Sequence, residues 1–261
     1  MLKENVLIIG TINSGKSALA NVICETEHFE ENERTVRNSS DFQEYDINWE
    51  GRKYHVVDIR VKLIEREILY KIGQVICSMP EGISQILFVV DQRLTAEEIE
   101  KLSEIEEEIL KNKIHKYITI VRTKFKDFKS KEECKKDEED FRSLNEKIFY
   151  ENKFIKNVFN KPNKPRMHIV HVDNPPTHIY VGDSDDDGTI KNNSRRRNKS
   201  RAILLEHLSK VCSKKYKLKM WDKLDRSNNL ELKDLVEPAK SYLESDDPVI
   251  VKIIKKLSSS K

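Results

Sequence analysis

The 261-residue chain carries 48 Lys and Arg against 45 Asp and Glu, giving a formal net charge of +3. This near balance excludes an overall electrostatic bias toward nucleic acid. The longest clean apolar run, Ile86–Val90, is too short to span a bilayer. The four cysteines are scattered without a C-x-x-C pair, which predicts reduced thiols. Together with the absence of an N-terminal signal pattern, these features predict a cytoplasmic protein.

The first predicted elements are a strand, a glycine-rich loop and a helix. After the apolar run Val6–Ile9, residues 10–17 read Gly-Thr-Ile-Asn-Ser-Gly-Lys-Ser, a full match to the phosphate-binding pattern G-x-x-x-x-G-K-[ST]. Backbone N–H groups of such a loop and the following helix N-terminus can point at phosphate oxygens. The alternative is a chance glycine-rich turn. The residues expected to hold a nucleoside triphosphate are Gly10, Asn13, Ser14, Gly15, Lys16, Ser17 and Ala18.

A magnesium ion is expected beside the phosphates, and its ligands come from separate segments. The Ser17 hydroxyl is the first expected ligand. Asp58 ends a predicted hairpin formed by Phe42–Trp49 and Lys53–Asp58, where a carboxylate would hold the Mg²⁺ shell through water. The alternative for this residue is a helix cap or a plain loop acid. A polar stretch, residues 25–41, is interpreted as a mobile loop that supplies a further hydroxyl. Its candidates are Thr35, Ser39 and Ser40, and Ser39 is named as the ligand.

The remaining elements alternate between strands and helices. In chain order these are a helix over Ile64–Met79, a strand at Gln85–Asp91, a helix opened by a capping box at Thr95–Glu98, a strand at Tyr117–Val121, a helix opened by a capping box at Ser130–Glu133, and a strand at His168–Val172. This alternation is typical of a sheet covered by helices on both faces. It predicts a three-layer α/β/α P-loop domain over residues 1–215 with a mostly parallel six-stranded sheet. Residues 216–261 are expected to form a helical or disordered extension.

Residues 181–201 are interpreted as a disordered surface loop of low complexity. Their acidic run imitates the start of a calcium loop, but the twelfth position holds Ser194 instead of glutamate, so a solvated loop is favoured. The basic run Arg195–Arg201 is interpreted as a solvated helix entrance, and the alternative is a contact with nucleic acid or anionic lipid. The closing helix is expected to bury Ile203, Leu204, Leu208 and Val211.

A candidate base-reading segment follows the fifth strand. Residues 121–127, Val-Arg-Thr-Lys-Phe-Lys-Asp, are similar to the [NT]-K-x-D element of G domains, in which Lys covers the base and Asp accepts from guanine. Thr123 and Lys124 fit, but the acid position holds Lys126, which cannot accept those donors. Either the loop shifts so that Asp127 reaches the base, or guanine preference is weak; a solvated Lys-rich loop is the third alternative. Asn174, after the last strand, is expected in the loop that closes over the base.

At this point the chain resembles the immunity-associated GTPase family of the AIG/GIMAP type, from about Asn5 to Asn174. The resemblance rests on the phosphate loop, on residues 49–58, and on the stretch Ile86–Glu98, which is similar to the family's strand followed by a T-x-E-E helix start. It implies binding of GTP and GDP with Mg²⁺, slow hydrolysis, and nucleotide-dependent self-association through the G-domain face.

One departure from the family pattern concerns hydrolysis. The family normally carries D-x-P-G or D-x-x-G where this chain has Asp58-Ile-Arg60-Val61, and no glutamine lies near that position to orient an attacking water. We therefore expect a weak GTPase at most, and no catalytic residue is named. The alternatives are a catalytically silent, nucleotide-gated assembly or scaffold module and a P-loop protein without guanine selectivity. The expected partners are a guanine nucleotide and further copies of the chain, without nucleic acid and without a membrane span.

Overall fold

The computed structural model describes residues 3–10, 13–31, 42–59, 75, 79, 81–91, 117–149, 168–178 and 185–216. The elements, in chain order, are β1 (Lys3–Gly10), α1 (Lys16–Cys24), β2 (Phe42–Trp49), β3 (Arg52–Ile59), β4 (Gln85–Val90), β5 (Ile118–Arg122), α2 (Lys131–Phe149), β6 (His168–His171) and α3 (Asp185–Val211). The six strands form one sheet in the order β2-β3-β1-β4-β5-β6. Among the described residues, no helix is long and apolar enough to cross a bilayer.

The sheet is parallel except at one edge. β1 pairs in parallel with β3 and β4, and β5 lies in parallel between β4 and β6, whereas β2 pairs antiparallel with β3. The predicted mostly parallel, six-stranded P-loop fold is therefore confirmed. Because the parallel strands all run in the same direction, the carboxyl ends of β1, β3, β4, β5 and β6 meet at one edge of the sheet.

Burial explains why the central strands read as continuous apolar runs. β1 is buried from Glu4 to Gly10, and β4 is buried throughout. Strands covered on both faces bury successive side chains, so the alternation of a half-exposed strand is lost. The edge hairpin differs, because β2 has exposed residues and its turn places Glu50 and Gly51 at φ 44° and 75°. Positive φ at both central residues matches the twist of a two-residue hairpin, as predicted.

The described hydrophobic core lies between the sheet, α1 and α3. Leu19 and Ile23 of α1 and Leu204 and Leu208 of α3 are fully buried. The other two residues predicted to face inward, Ile203 and Val211, are partly buried and pack against the same core. The apolar face of the closing helix is therefore confirmed.

The start of α3 corrects the sequence-based expectation for residues 181–201. A disordered loop was expected, but α3 begins at Asp185 and continues without interruption to Val211. The part of the acidic run that the structure describes, residues 185–187, lies in the first turn of this helix. Three arginines of the basic run pair with distant carboxylates: Arg196 with Asp173, Arg197 with Glu31 at 2.7 Å, and Arg201 with Glu25 at 3.2 Å. These partners stabilise a helix whose local composition is typical of disorder.

Several predicted segments lie outside the described residues. Of the helix predicted over Ile64–Met79, Val75 is helical, and Val75 and Met79 are buried. Three further predicted segments lie outside: the helix opened at Thr95–Glu98, residues 32–41 of the mobile loop, and residues 217–261 of the extension.

The second capping box is half formed, because the Ser130 hydroxyl accepts the Glu133 backbone N–H at 3.2 Å. At the end of the described chain, Tyr216 pairs with Ile83 through two backbone hydrogen bonds of 2.7 and 2.9 Å.

Candidate functional site

The phosphate-binding loop begins where β1 passes very close to β4. A Cβ added to Gly10 would lie 2.2 Å from the Val89 carbonyl oxygen, so this strand end tolerates only glycine. Further along the loop, Asn13 and Gly15 have φ of 55° and 85°, in the left-handed region. Gly15 is also the N-cap of α1, and its carbonyl accepts the Leu19 N–H at 2.9 Å as the helix begins. Residues 13–15 therefore turn directly into the helix.

The N-terminus of α1 is arranged to receive an anion. Gly15 provides no side-chain cap, and the first turn, which contains Lys16, Ser17 and Ala18, carries no acidic residue. The first N–H groups of a helix have no partner within the helix, and together with the helix dipole they favour negative charge. Ser14 is buried, and its hydroxyl has no hydrogen-bond partner within the described part of the chain. This open donor set fits a phosphate group.

Ser17 and Asp58 bring two oxygen atoms together beside this helix end. The Ser17 hydroxyl donates to the Asp58 carboxylate at 2.8 Å, and Asp58 is fully buried near the end of β3. Hydroxyl and carboxylate oxygens are the hard ligands that Mg²⁺ prefers, and a buried carboxylate is favoured by a nearby cation. The donor set therefore fits Mg²⁺. Ser39 and its alternatives, Thr35 and Ser40, lie outside the described residues.

The loop after β5 is fastened directly to the phosphate loop. The Thr123 hydroxyl donates to the Ser14 carbonyl at 2.5 Å, and its backbone N–H donates to Val90 at 3.0 Å. Lys124 has φ 54°, and its ammonium group donates to the Asn13 carbonyl at 2.5 Å and to the Asp91 carboxylate at 2.9 Å. Thr123 and Lys124 therefore hold the candidate base-reading segment against the segment that faces the phosphates.

Asp127 and Asn174 lie in the two loops that follow β5 and β6. Asp127 is exposed, as is Lys126, and its backbone carbonyl accepts the Ser130 N–H at 2.8 Å as α2 begins. The nitrogen and oxygen of the Asn174 amide are both buried without a hydrogen-bond partner among the residues that the structure covers. Asn174 therefore presents an unused donor and an unused acceptor in the loop that follows β6. Leaving such a buried group unpaired costs free energy, so a ligand that pairs with it would be favoured.

A partly buried charge cluster lies at the start of both loops. Arg122 makes two hydrogen bonds of 2.9 and 3.0 Å to the Asp137 carboxylate, and His171 contacts the same carboxylate at 2.8 Å. Burial alone would raise the pKa of Asp137, but the hydrogen bonds from His171 and Arg122 outweigh it and hold that pKa well below its ordinary value. The cluster joins α2 to the ends of β5 and β6.

Sequence reasoning missed several residues that organise this edge of the sheet. Asp91 and Asp173 follow β4 and β6, and the general rule that polar residues at the carboxyl ends of parallel strands meet at one edge could have identified them. Arg196 and Ser200 of α3 both contact Asp173. Nothing in the sequence indicated those contacts, because their helix was interpreted as a loop.

Comparison with solved structures shows the fold. A structure of the chloroplast translocon components atToc33 and psToc159, for which dimerization is important for GTPase activity, is 14% identical over 83% of this chain and 86% of that chain, with a TM-score of 0.54. Toc33 from Arabidopsis thaliana in complex with GDP and Mg²⁺ is 14% identical over 82% and 85%, with a TM-score of 0.49. The G domain of the T. maritima FeoB iron transporter is 18% identical over 66% and 88%, with a TM-score of 0.38.

The comparison with protein families covers most of the described sheet. No curated protein sequence matches the chain. The model of the AIG1 family matches residues 4–170, a span that begins in β1 and ends in β6. It contains the phosphate loop, Asp58 and the loop after β5, which are the segments on which the resemblance seen in the sequence rests, and that resemblance is confirmed. The chain belongs to the AIG1 family.

Proposed function

We propose that this protein binds GTP and GDP together with Mg²⁺ at the carboxyl edge of its sheet. The observation that carries the proposal is the 2.8 Å contact between the Ser17 hydroxyl and the buried Asp58 carboxylate, beside an uncapped helix N-terminus. Membership of the AIG1 family and a fold similar to that of GTPase G domains support the same proposal.

Each residue of the site has a proposed role that follows from its chemistry. Backbone and side-chain groups of Gly10, Asn13, Ser14, Gly15, Lys16 and Ala18 bind the phosphate oxygens. Ser17, Asp58 and Ser39 hold Mg²⁺, which supplies positive charge between the terminal phosphates when it is bound. Lys16 adds a point charge, and the first turn of α1 adds N–H donors. None of these groups depends on the identity of the base.

Recognition of the base is assigned to Thr123, Lys124, Asp127 and Asn174. Guanine presents N–H donors on its edge, so the site needs an acceptor, which the Lys126 ammonium cannot supply. The exposed Asp127 carboxylate is the proposed acceptor, and the unpaired Asn174 amide provides a second polar contact. Hydrolysis is proposed to be slow or absent, because Val61 stands at the position of the family's glycine and no glutamine lies near it to orient water.

Titration with fluorescent GTP, GDP and ATP analogues in the presence of Mg²⁺ tests this function. We expect binding that favours guanine and is lost in Lys16→Ala, because the triphosphate loses its point charge. Lys135→Ala removes an equal charge from an exposed position on α2 and should bind like the wild type. Equal affinity for ATP and GTP would replace the proposal with a P-loop protein without guanine selectivity. No binding to any nucleotide would contradict it.

A second candidate function is a nucleotide-gated homo-oligomer with little or no turnover. It is favoured by Val61, since a β-branched residue at the glycine position limits rearrangement of the loop that senses the γ-phosphate. Dimerization is important for the GTPase activity of the chloroplast translocon components atToc33 and psToc159, and this supports the assembly part of the candidate function. Sedimentation velocity with GDP and with a non-hydrolysable GTP analogue, compared with single-turnover phosphate release, separates the two candidates. Assembly without release would favour the silent module.

We also propose that the protein is cytoplasmic. The described cysteines Cys24, Cys134 and Cys212 are free thiols, which supports a cytoplasmic location.

A further inference from the structure

One face of α3 contacts the first residues of the segment that follows β6. Four residues at helical spacing, Asn193, Arg196, Arg197 and Ser200, contact residues 173–176. The Asn193 amide donates to the Pro176 carbonyl at 2.8 Å, and Arg197 donates to the Pro175 carbonyl at 3.3 Å. Positions i, i+3, i+4 and i+7 lie on the same side of a helix, so this polar stripe faces the loop as a unit.

Asp173 is held at each of its polar groups. Its backbone N–H donates to the Ser200 hydroxyl at 3.1 Å, and that hydroxyl donates back to the Asp173 carbonyl at 2.9 Å. Its carboxylate accepts from Arg196 Nε at 2.5 Å and pairs with a second nitrogen of the same guanidinium. Ser200 is fully buried, so the contact excludes water. The residue directly before Asn174 is therefore fixed to α3.

The same guanidinium reaches the other base-side loop. Arg196 donates to the Lys126 backbone carbonyl at 3.0 Å, and its guanidinium carbon lies 5.8 Å from the centre of the buried Phe128 ring. The Lys126 carbonyl belongs to the peptide group that joins Lys126 to Asp127. Because a peptide group is planar, fixing that carbonyl also restrains the direction of the Asp127 N–Cα bond, from which the Asp127 side chain starts.

We propose that Arg196 is a positioning residue for base selectivity, which joins the loop carrying Asp127 to the loop carrying Asn174. The inference rests on the proposed binding of guanine nucleotides. A planar guanidinium can bind a carboxylate and a carbonyl at once in fixed geometry, and its charge is neutralised by Asp173. In this proposal Arg196 does not touch the base; it acts by positioning the two loops.

The loops that carry Asp127 and Asn174 leave separate strands. Without a shared partner, each loop samples its own conformations. The free energy gained from a hydrogen bond to the base is then reduced by the entropy lost when the loop becomes ordered. Binding through the phosphates involves other residues, so loss of Arg196 should affect base selectivity more than phosphate affinity. This separation gives a readout that a general loss of stability does not produce.

The test compares GTP with inosine triphosphate, which lacks only the 2-amino group that an acceptor at Asp127 would bind. We expect the wild type to favour GTP, and Arg196→Ala to reduce that preference about tenfold or more while inosine triphosphate binds nearly as in the wild type. Arg196→Lys should restore part of the preference, since one ammonium can pair with Asp173 but lacks the planar fork. Arg195→Ala, an exposed neighbour on the same helix, is the matched control.

The outcomes separate this inference from the proposed function. If the wild type binds no guanine nucleotide, the proposed function fails and the inference fails with it. If the wild type prefers GTP but folded Arg196→Ala and Arg196→Lys retain that preference, the inference alone is overturned. An equal loss of affinity for both nucleotides would also overturn it, because that is the result of a structural role only. If Arg196→Ala does not fold, the comparison of Arg196→Lys with Arg195→Ala decides.

Discussion

Gly10 is the residue at which the sheet and the phosphate loop constrain each other most tightly. A Cβ at this position would meet the Val89 carbonyl oxygen at 2.2 Å, and this atom belongs to the backbone of the central strand β4. Backbone in a paired strand cannot turn away as a side chain does, so we expect Gly10→Ala to lower the free energy of unfolding by about 3 kcal/mol. Urea denaturation measures this change.

Gly51→Ala is the control for that prediction. Gly51 also has positive φ, but a Cβ there would meet nothing within 4 Å, so only backbone strain of about 1 kcal/mol is expected. Equal costs for the two alanine variants would show that the approach of β1 to β4 is not the constraint at position 10.

His207 gives the domain a stability that depends on pH. Its Nε2 lies 2.7 Å from the Thr119 hydroxyl, and burial, with smaller contributions from His168 and Lys210, lowers its pKa from 6.5 to about 4. Between these two values the unfolded chain binds more protons than the folded chain. The free energy of unfolding should therefore fall as pH decreases from about 6.5 to about 4, by at most about 3 kcal/mol.

Chemical denaturation at several pH values tests this prediction. His207→Gln keeps a group that can hydrogen-bond Thr119 but removes the titration, so stability should change less with pH over that window. Replacement of the exposed His178 by glutamine is the matched control. The lowered pKa of Asp137 makes the free energy of unfolding fall mainly below the ordinary carboxyl pKa of 3.8, beneath most of the pH window of His207. An unchanged pH dependence in His207→Gln would contradict the assignment.

At the scale of whole elements, α3 allows a direct test of its unexpected length. Gly188 lies in the first turns of this helix, it is exposed, and a Cβ there would meet nothing within 4 Å. Alanine is favoured over glycine in a helix by about 1 kcal/mol, so Gly188→Ala should slow amide exchange in residues 188–195 and raise stability slightly. Exchange measured by mass spectrometry reports this. A disordered segment would exchange at the same fast rate in both proteins.

The helix α3 also shows how far the sequence could lead. The central strands were predictable because both of their faces are buried, so that successive residues are apolar, as in Val6–Ile9. The hairpin was predictable from local turn chemistry at Glu50 and Gly51. The first half of α3 was not, because its stabilising partners Asp173 and Glu31 are 23 and 166 positions away from the arginines that bind them. Local composition carries no information on such pairs.

The candidate site shows the same division. The phosphate loop is a contiguous motif, so its residues could be named from the sequence alone. The close contact between Ser17 and Asp58 was expected only from their order along the chain, and its 2.8 Å distance comes from the parallel pairing of β1 with β3. The links made by Lys124 and Arg196 depend on loops that meet in space, and no local pattern indicates them.

At the scale of the whole molecule, the two ends of the parallel strands differ in whether their polar groups have partners. At the edge where the parallel strands begin, Lys215 donates to the Lys3 carbonyl and Tyr216 pairs with Ile83, so the chain closes on itself. At the opposite edge, α1 begins without a side-chain cap, and the buried Ser14 hydroxyl and Asn174 amide have no hydrogen-bond partner among the described residues. A ligand that supplies those partners should stabilise the folded state more than any single side-chain contact there.

We therefore expect Mg²⁺ with GTP to raise the melting temperature of the protein. A ligand at 100 times its dissociation constant stabilises the folded state by about 2.7 kcal/mol. For a domain of this size, each kcal/mol raises the melting temperature by about 2–4 °C, which predicts an increase of roughly 5–10 °C by differential scanning fluorimetry. Lys16→Ala should show little increase and Lys135→Ala the full one. An equal increase in all three proteins would mean that the nucleotide binds elsewhere, since the phosphate loop is the only part of the proposed site that Lys16→Ala alters.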